Sequence, residues 1–480
     1  MSSVSSSVES QGSKVQATLY IDITYLAQHT HLNTGIQRVV RQVVKHLIIL
    51  GAEQGFQVQP VAIGQGRFQK LTEQDLYPAA TQLLPDQAHQ EKEKPPFKQR
   101  VLAYFKGVYF AGRELLAALS GHHPTVKHFL FAPRHTFGLS WLIDRIWQPV
   151  RSLLGKSAPG RDEGARVGDF SQVQPGDHLL LLDSTWYCQT WPSVEAFRAR
   201  GGGVTAVIYD LIPITHPQFC DAFLAQVFKQ WFADALSRVD GFVCISHTVE
   251  RQLRAFLAEQ QPELAQHKDY DYFLLGADFK KTLQDSEPPR PLLQERLSAR
   301  PTYLVVSTIE PRKNHAFILD AFEELWAQGL DVNLFFVGRS GWQVEALLDR
   351  IRQHTELNHR LHFWQDVTDS ELAYCYQSAK MLIFASQAEG FGLPIIESLQ
   401  QGLPVLASRL DVHREVGGEH VGYFDLDSPH LLAAQIKQIE QEGIPQDLQP
   451  DPEFQWLSWR ASSEMLLAAL QRQGWTAEKK

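Results

Sequence analysis

The chain is poor in cysteine and methionine, with four and three residues among 480. The cysteines lie far apart inside apolar segments, so we expect neither a disulfide framework nor a zinc site, and a reducing compartment is favoured. No segment has the roughly 18 consecutive apolar residues that a membrane-spanning helix requires. The Ser-rich start has neither a basic nor an apolar portion. We therefore predict a disordered tail over residues 1–14 and no signal peptide.

The chain also lacks an excess of positive charge, because 54 Asp and Glu outnumber 45 Lys and Arg. This argues against nucleic acid as a partner. Residues 95–161 are the exception, with ten Lys or Arg, two Asp or Glu, and bulky apolar residues at helical spacing. Two interpretations stay open: a basic helix on an anionic membrane surface, or a helix packed on its own domain with a solvated basic side. We predict a cytoplasmic protein, with peripheral attachment to the inner face of the membrane as the alternative.

What the chain does contain is a regular alternation of apolar strands and amphipathic helices, which predicts an α/β fold. A charged, Pro-rich stretch over residues 278–300 separates two such halves. We predict two doubly wound, Rossmann-like domains that face a central cleft. Their bounds are residues 15–290, with a basic insertion over about 64–175, and residues 291–445. Strands are predicted at 272–275, 333–337 and 361–364, and a terminal helix from about 454 to 473, within 446–480, is expected to cross back to the first domain.

The segment Ser386–Pro404 carries the clearest chemical signal. An apolar strand ends before it, and a helix is predicted from Leu393, with Pro394 in the first turn, where a missing N–H costs nothing. Glu389 precedes this helix and Glu397 lies one turn inside it. The free N–H groups and the helix dipole favour an anion between the two carboxylates. A sugar attached to a diphosphate suits both features, because it carries hydroxyl groups and negative charge.

Neighbouring strand ends supply further groups for such a ligand, since ligands of open α/β sheets bind beyond the carboxyl ends of strands. Arg312 and Lys313 follow the first strand of the second half. They suit a diphosphate, because arginine can hold two oxygens at once and lysine adds a point charge. Gly338 follows the next strand, and Val367, after the third, can offer backbone groups to a base. A solvated basic turn would explain the Arg-Lys pair alone, but the convergence of several strand ends favours a site.

These motifs resemble those of a known enzyme family. Glu-Gly-Phe-Gly-Leu-Pro-Ile-Ile-Glu at 389–397, followed by Gly-Leu-Pro-Val-Leu-Ala-Ser and preceded by Arg312-Lys313, resembles the family 4 retaining glycosyltransferases of the GT-B fold. The likeness is dense over about 303–441. It is patchier earlier, where Thr-Gly-Ile-Gln-Arg-Val and Tyr-Asp-Leu-Ile-Pro fit the mannosyltransferases of that group. The resemblance implies metal-independent transfer with retention, no cofactor, and a departing phosphate that takes the proton of the acceptor hydroxyl.

The resemblance also implies residue roles. Glu389 would bind hydroxyls of the donor sugar, and Glu397 would bind the ribose. The other implied donor-binding positions are Gly35, Arg312, Lys313, Gly338, Val367, Phe391, Gly392 and Leu393. Many members carry a histidine just before the aspartate that is Asp210 here, and this chain has Tyr209. The role of that imidazole passes to Tyr209, Asp210 or His216, or is lost, so Asp210 and His216 join Glu389 as catalytic candidates.

The implied reaction moves a sugar, with mannose favoured, from a nucleotide-diphosphate donor such as GDP-mannose to a saccharide or glycolipid acceptor in polysaccharide or lipopolysaccharide-type biosynthesis. A UDP-glucose or deoxysugar donor is the alternative. An inactive sugar-binding scaffold, or an epimerase or phosphorylase of the same fold, fits the intact Arg312, Lys313, Glu389 and Glu397 less well. An NAD-dependent oxidoreductase is disfavoured because no Gly-x-Gly-x-x-Gly follows a strand.

Overall fold

The structure is a computed structural model. It describes residues 17–30, 34–64, 67–77, 167–168, 170–278, 288–449 and 451–477. All of these belong to one compact unit, formed by residues 1–79 and 166–480. The predicted tail over residues 1–14 and the basic segment 95–161 lie outside the described residues.

The first half of the chain forms a sheet with eight strands among the described residues. They are β1 (Thr18–Asp22), β2 (Gln57–Gly64), β3 (Arg67–Lys70), β4 (Val167–Gly168), β5 (His178–Leu181), β6 (Gly203–Ile208), β7 (Gly241–Cys244) and β8 (Asp269–Tyr272). Their order across the sheet is β4-β3-β2-β1-β5-β6-β7-β8. Strand β3 pairs antiparallel with β2 and β4. The other pairs are parallel, which brings the carboxyl ends of β1, β5, β6 and β7 to one edge.

Seven α-helices accompany this sheet in the described residues. They are α1 (Thr24–Gln28), α2 (Gly35–Gln54), α3 (Trp191–Arg198), α4 (Ile212–Thr215), α5 (Ala222–Arg238), α6 (His247–Gln260) and α7 (Pro262–Ala265). Helix α2 shows why the pattern folds as it does. Its buried residues Val39, Val40, Val43, Val44 and Leu47 recur every three or four positions, so one face is apolar and packs on the sheet.

The second half forms a sheet of six parallel strands. They are β9 (Thr302–Val306), β10 (Asn333–Val337), β11 (Leu361–Trp364), β12 (Met381–Phe384), β13 (Val405–Ser408) and β14 (Gly422–Phe424), in the order β11-β10-β9-β12-β13-β14. The helices of this half and of the chain end are α8 (Pro291–Ser298), α9 (His315–Ala327), α10 (Glu345–Gln353), α11 (Asp369–Ser378), α12 (Leu393–Gln400), α13 (Asp411–Gly417), α14 (Pro429–Glu442) and α15 (Trp459–Arg472). Most strand residues are buried, as expected for a parallel sheet covered on both faces.

The predicted strands and helices of the second half agree closely with the structure, and two elements of the chain were placed wrongly. The strand expected at 272–275 is β8, which begins at Asp269. It is an edge strand and is only partly buried, so its own residues lack the apolar run that marks a central strand. The terminal helix begins at Trp459 and not at Phe454, because the side chain of Ser458 accepts the N–H of Ala461 and caps the helix there.

The expectation that the terminal helix crosses back to the first half is confirmed. Arg460 of α15 forms an ion pair with Glu53 of α2, with Nη1 2.9 Å from Oε1. Gln473, just beyond α15, donates to the backbone carbonyl of Phe242 in β7 at 3.0 Å. The terminal helix therefore packs on the first sheet although it follows the second sheet in sequence.

Two segments of chain pass between the halves, and they are hydrogen bonded to each other. The backbone N–H of Ala277 donates to the carbonyl of Leu457 at 2.9 Å. The indole N–H of Trp456 donates to the carbonyl of Leu275 at 2.8 Å. The segment that leaves the first sheet after β8 thus lies against the segment that returns before α15.

Gly338, which follows β10, is required by the packing of the second sheet. Its φ is 149°, and an ideal Cβ there would lie 2.0 Å from the carbonyl oxygen of Ser307. This close approach gives a structural reason for the glycine, alongside the donor-binding role expected from sequence.

Replacing Gly338 by alanine should lower the free energy of unfolding by about 3 kcal/mol or more, because a buried backbone atom must move. Gly329→Ala is the matched control: its φ is also positive, at 83°, but no atom lies within 4 Å of the added Cβ. That change should cost only about 1 kcal/mol. Chemical denaturation of both variants measures the difference, and equal losses would contradict the packing argument.

Candidate active site

The centre of the site is a cluster of buried charges on the loops after β9 and β12. Arg312 donates from Nη1 to Oε2 of Glu389 at 2.7 Å. Lys313 donates from Nζ to Oε1 of the same carboxylate, and Ser386 adds a hydrogen bond to Oε1 at 2.8 Å. The side chains of Arg312, Lys313 and Glu389 are 20%, 11% and 8% exposed. The structure therefore brings together the basic pair and the first glutamate of the predicted motif.

Burial and neighbouring charges both shift the pKa values of the residues in this cluster. Burial alone would raise the pKa of Glu389, but Arg312 and Lys313 outweigh it and hold that pKa well below its usual range. Burial and the neighbouring Arg312 lower the pKa of Lys313, against the opposing effect of Glu389. Glu310 accepts from Nε of Arg312 at 3.0 Å, and burial raises its pKa. Glu389 is thus held as a carboxylate between two cations.

The backbone after Glu389 offers hydrogen-bond donors. Gly392 adopts a φ of 117° and caps α12, with Pro394 in the first turn. Among the described residues, the N–H groups of Phe391, Gly392 and Leu393 have no protein acceptor. The loop is fixed from the other side, because Gln387 donates its N–H to the carbonyl of Arg312 at 2.7 Å. Free N–H groups at a helix N-terminus next to two cations form an arrangement suited to phosphate oxygens.

Glu397, the second glutamate of the motif, lies inside α12 and is buried. Its carboxylate forms an ion pair with Arg38 and accepts from the hydroxyl of Tyr376 at 2.9 Å. Arg38 stands in the first turn of α2, which begins at Gly35. Gly35, one of the implied donor-binding positions, therefore lies one helical turn from a residue that contacts Glu397, and an ideal Cβ on Gly35 would meet no atom within 4 Å.

The opposite wall comes from the loop after β6. Burial raises the pKa of Asp210, and the charge of Arg312 lowers it in part; its Oδ1 accepts the N–H of Ile212 at 2.9 Å. The loop touches the glutamate turn directly, since a Cβ on Gly390 would lie 2.0 Å from the carbonyl oxygen of Tyr209. Ser246 donates to the carbonyl of Gly390 at 2.9 Å. Asp210 is thus the catalytic candidate of the first half that the structure places at the charge cluster.

The other two residues considered for the missing imidazole lie elsewhere. The hydroxyl of Tyr209 donates to the carbonyl of Leu182 at 2.8 Å, and its ring is buried in the core, so this side chain does not face the cluster. His216 contacts the hydroxyl of Thr215 at 2.9 Å and stacks on Phe219. Among the described residues no hydrogen bond or ion pair joins His216 to the charge cluster, and its catalytic role stays a prediction.

The remaining predicted donor-binding positions lie on the same edge. Val367 is half-buried in the loop between β11 and α11 and packs against the core. The ring of Phe391 is buried, 6.1 Å from that of Trp456, so its side chain belongs to the core and only its backbone faces the turn. The donor-binding roles of Val367 and Phe391 therefore stay predictions.

Sequence reasoning gave no role to three residues that the structure places at the site: Arg38, Tyr376 and His413. Arg38 stands inside the Thr-Gly-Ile-Gln-Arg-Val motif, which was a usable signal. Tyr376 and His413 lie in amphipathic helices where a buried aromatic residue is ordinary, so the sequence offered no signal for them. Three-dimensional placement was needed to find both.

Two further contacts join the halves beside the site. The carboxylate of Glu415 in α13 accepts the N–H groups of His247 and Thr248, each at 2.7 Å, at the first turn of α6. The indole of Trp342 donates to the carbonyl of Phe219 at 2.8 Å. A carboxylate at a helix N-terminus is favourable, so polar contacts across the cleft hold the halves in this arrangement.

Comparison with known proteins agrees with this geometry. Residues 294–449 match the family model described as "Glycosyl transferases group 1". That range contains Arg312, Lys313, Glu389 and Glu397. We call residues 294–449 the glycosyltransferase domain, after the family model that they match. The resemblance to family 4 glycosyltransferases inferred from the motifs is thereby confirmed.

Similarity to individual proteins extends beyond the glycosyltransferase domain. The serotype-specific mannosyltransferase WbdA of Escherichia coli is 34% identical over 318 residues, which cover 63% of this chain and 38% of WbdA. The O-antigen chain mannosyltransferase RfbU of Salmonella typhimurium is 24% identical over 256 residues, 53% of this chain and 64% of RfbU. The chain thus spans well under half the length of WbdA.

A solved structure supports the fold. A glycosyltransferase from Rickettsia africae superimposes with a TM-score of 0.50 and 15% identity, covering 95% of this chain and 98% of that chain. With two Rossmann-like sheets in one chain, the predicted GT-B fold is confirmed. In the described part of the chain, the helices that accompany the glycosyltransferase domain and the first sheet are all too short or too polar to span a membrane.

Glu389→Gln tests the charge cluster of the glycosyltransferase domain. The change leaves two buried cations without their carboxylate and should lower the free energy of unfolding by about 3 kcal/mol at neutral pH. Because the folded-state pKa of Glu389 lies below its usual 4.5, its stabilisation is complete above that pH and is lost as the pH falls towards the folded-state pKa. The difference between wild type and variant should therefore shrink in acid.

Urea denaturation across the pH range from neutral to acid measures this difference. Glu259→Gln is the control, since Glu259 is exposed on α6 and should change stability little at any pH. A constant difference between wild type and Glu389→Gln, independent of pH, would show that Glu389 is not held as a carboxylate by its neighbours.

Proposed function

We propose that the chain is a retaining, metal-independent glycosyltransferase that moves mannose from a nucleotide-diphosphate donor to a saccharide or glycolipid acceptor in polysaccharide or lipopolysaccharide-type biosynthesis. One observation carries the proposal: Arg312 and Lys313 lie against Glu389 beside the unpaired N–H groups that begin α12. The site thus combines cations for a diphosphate with a carboxylate that can accept hydrogen bonds from sugar hydroxyls, and a nucleotide sugar needs both. The relatives named as mannosyltransferases support mannose as the transferred sugar.

The cations keep donors available for a diphosphate. Arg312 uses Nε for Glu310 and Nη1 for Glu389 and the carbonyl of Ala388. Among the described residues, its Nη2 has no partner. Lys313 has three N–H groups and gives one to Glu389. Together with the N–H groups of Gly392 and Leu393, these donors would offset the negative charge of the diphosphate, as a metal ion does in other sites, so no cofactor is needed in this scheme.

The nucleoside end of the donor would lie towards Glu397 and Val367. A ribose hydroxyl can donate to the carboxylate of Glu397 and accept from Arg38, the residue that pairs with this carboxylate. The backbone of Val367, at the end of the neighbouring strand, would meet the base. In this arrangement the diphosphate sits at the start of α12 and the sugar extends towards Glu389 and Asp210.

In the reaction, the acceptor oxygen forms a bond to the anomeric carbon while the bond from that carbon to the phosphate oxygen breaks on the same face. The proton of the acceptor hydroxyl passes to the departing phosphate oxygen, so no separate base is required. Arg312, Lys313 and the N–H groups of α12 stabilise the charge that develops on the phosphate. Glu389 and Asp210 bind and orient the sugar from opposite sides.

A panel of nucleotides and nucleotide sugars tests the donor assignment. GDP-mannose and GDP should raise the melting temperature of the protein, because a ligand that binds only the native state stabilises it. UDP-glucose and a dTDP-deoxysugar represent the alternative donors. A shift with UDP compounds alone would replace the GDP-mannose assignment, and no shift with any compound would contradict a nucleotide-sugar site.

The phosphate contacts are tested with Arg312→Ala and Lys313→Ala. Each should weaken the binding of the bare nucleoside diphosphate by roughly ten-fold or more, since a charged hydrogen bond contributes about 1.5–3 kcal/mol. Arg339→Ala is the matched control, an exposed cation on the same edge. With a saccharide acceptor, NMR of the product shows whether the anomeric configuration is retained, and activity should persist in a chelator.

Peripheral membrane contact through residues 95–161 is a second part of the proposal, supported by the excess of basic residues in that segment. The protein should sediment with vesicles of phosphatidylglycerol and not with phosphatidylcholine, and high salt should release it because exposed charges are screened. Replacing Arg151, Lys156 and Arg161 by Gln should weaken this binding. Equal recovery with both vesicle types would contradict an electrostatic contact.

A further inference from the structure

His413 is a buried histidine beside the charge cluster, and nothing in the reaction described above uses it. It lies in α13 and is fully buried. Its Nδ1 is 2.8 Å from the carbonyl oxygen of Ser408. A carbonyl can only accept, so Nδ1 carries the proton and Nε2 carries a lone pair. Among the described residues, this Nε2 has no hydrogen-bond partner.

The unpaired edge of the ring faces the turn that begins α12. An ideal Cβ on Gly392 would lie 3.6 Å from Cδ2 of His413, the carbon bonded to Nε2. It would also lie 3.3 Å from Ile395 and 3.7 Å from Phe384. Because Gly392 has no side chain, only its backbone separates the turn from this edge of the ring.

The ring is uncharged at neutral pH, as an acceptor must be. Burial lowers the pKa of His413 to about 4, with Lys313 lowering it further and Glu389 and the bond to Ser408 opposing the change. Glu389, the obvious acceptor nearby, already receives hydrogen bonds from Arg312, Lys313 and Ser386. A sugar hydroxyl that must donate its proton there benefits from a further acceptor.

We propose that Nε2 of His413 accepts a hydrogen bond from a hydroxyl group of the donor sugar, which makes His413 a residue that helps to select that sugar. The inference rests on the proposed function, because it needs a nucleotide sugar at the start of α12. It goes beyond that function because it names the atom that recognises the sugar. The partner of the otherwise unpaired nitrogen is then a ligand hydroxyl, and the fixed tautomer is what prepares the nitrogen to accept.

Two variants separate this role from a structural one. Asparagine at 413 keeps a donor near the position of Nδ1 for the Ser408 carbonyl but has no atom at the position of Nε2. Glutamine places an amide oxygen near the position of Nε2. We expect His413→Asn to fold normally, to bind the nucleoside diphosphate as wild type does, and to lower kcat/KM for the nucleotide sugar by about 10- to 100-fold. His413→Gln should recover part of that loss.

Deoxygenated donors identify the hydroxyl. With wild type, the donor that lacks the relevant hydroxyl should lose about as much kcat/KM as His413→Asn loses with the complete donor. His413→Asn should show no further loss with that same deoxy donor. Equal losses for nucleoside diphosphate and nucleotide sugar, or a lower melting temperature in His413→Asn with activity lost in proportion, would overturn the proposal in favour of a purely structural histidine.

The same measurements distinguish the two proposals. If wild type transfers no sugar from any donor of the panel, the proposed function fails and the inference falls with it. If wild type transfers sugar and His413→Asn matches it with every donor, only the role of His413 fails. Retained transfer by wild type with a selective loss in His413→Asn supports both.

Discussion

The site depends on one ionic interaction, the contact of the Glu389 carboxylate with Arg312 and Lys313. Each of these charges is largely removed from solvent, and an unpaired charge in such a place is costly. Since the cations follow β9 and the carboxylate follows β12, their contact fixes the two loops relative to each other. The start of α12 follows the second of these loops, so the protein itself fixes the geometry of this turn.

The fold and part of the site were predictable because they rest on local patterns. Strands β10 and β11 and helix α12 have the expected bounds, since buried parallel strands read as apolar runs and Pro394 marks a helix start. The edge strand β8 was misplaced because partial exposure removes that signal. The contacts of Glu397 with Arg38 and Tyr376, and of Gly390 with Tyr209, join residues far apart in sequence. No local pattern encodes such pairs.

The structure shows whether Tyr209 replaces the histidine that this chain lacks before Asp210. Tyr209 does not replace it, because its hydroxyl is bound to Leu182. Instead, the backbone carbonyl of Tyr209 lies so close to Gly390 that no side chain would fit on Gly390. Two residues further along the same turn, Gly392 lies near the imidazole of His413 from the second half. The turn is therefore lined by Asp210 from the first half and by His413 from the second.

The hydrogen bonds between the two crossing segments, from Ala277 to Leu457 and from Trp456 to Leu275, have a mechanical consequence. Two separate linkers would let the halves slide and twist with respect to each other. Two linkers that are hydrogen bonded side by side act as a single hinge, about which rotation is the easiest motion. A rotation that opens the cleft has to break the polar contacts that cross it, such as the ion pair of Arg38 with Glu397.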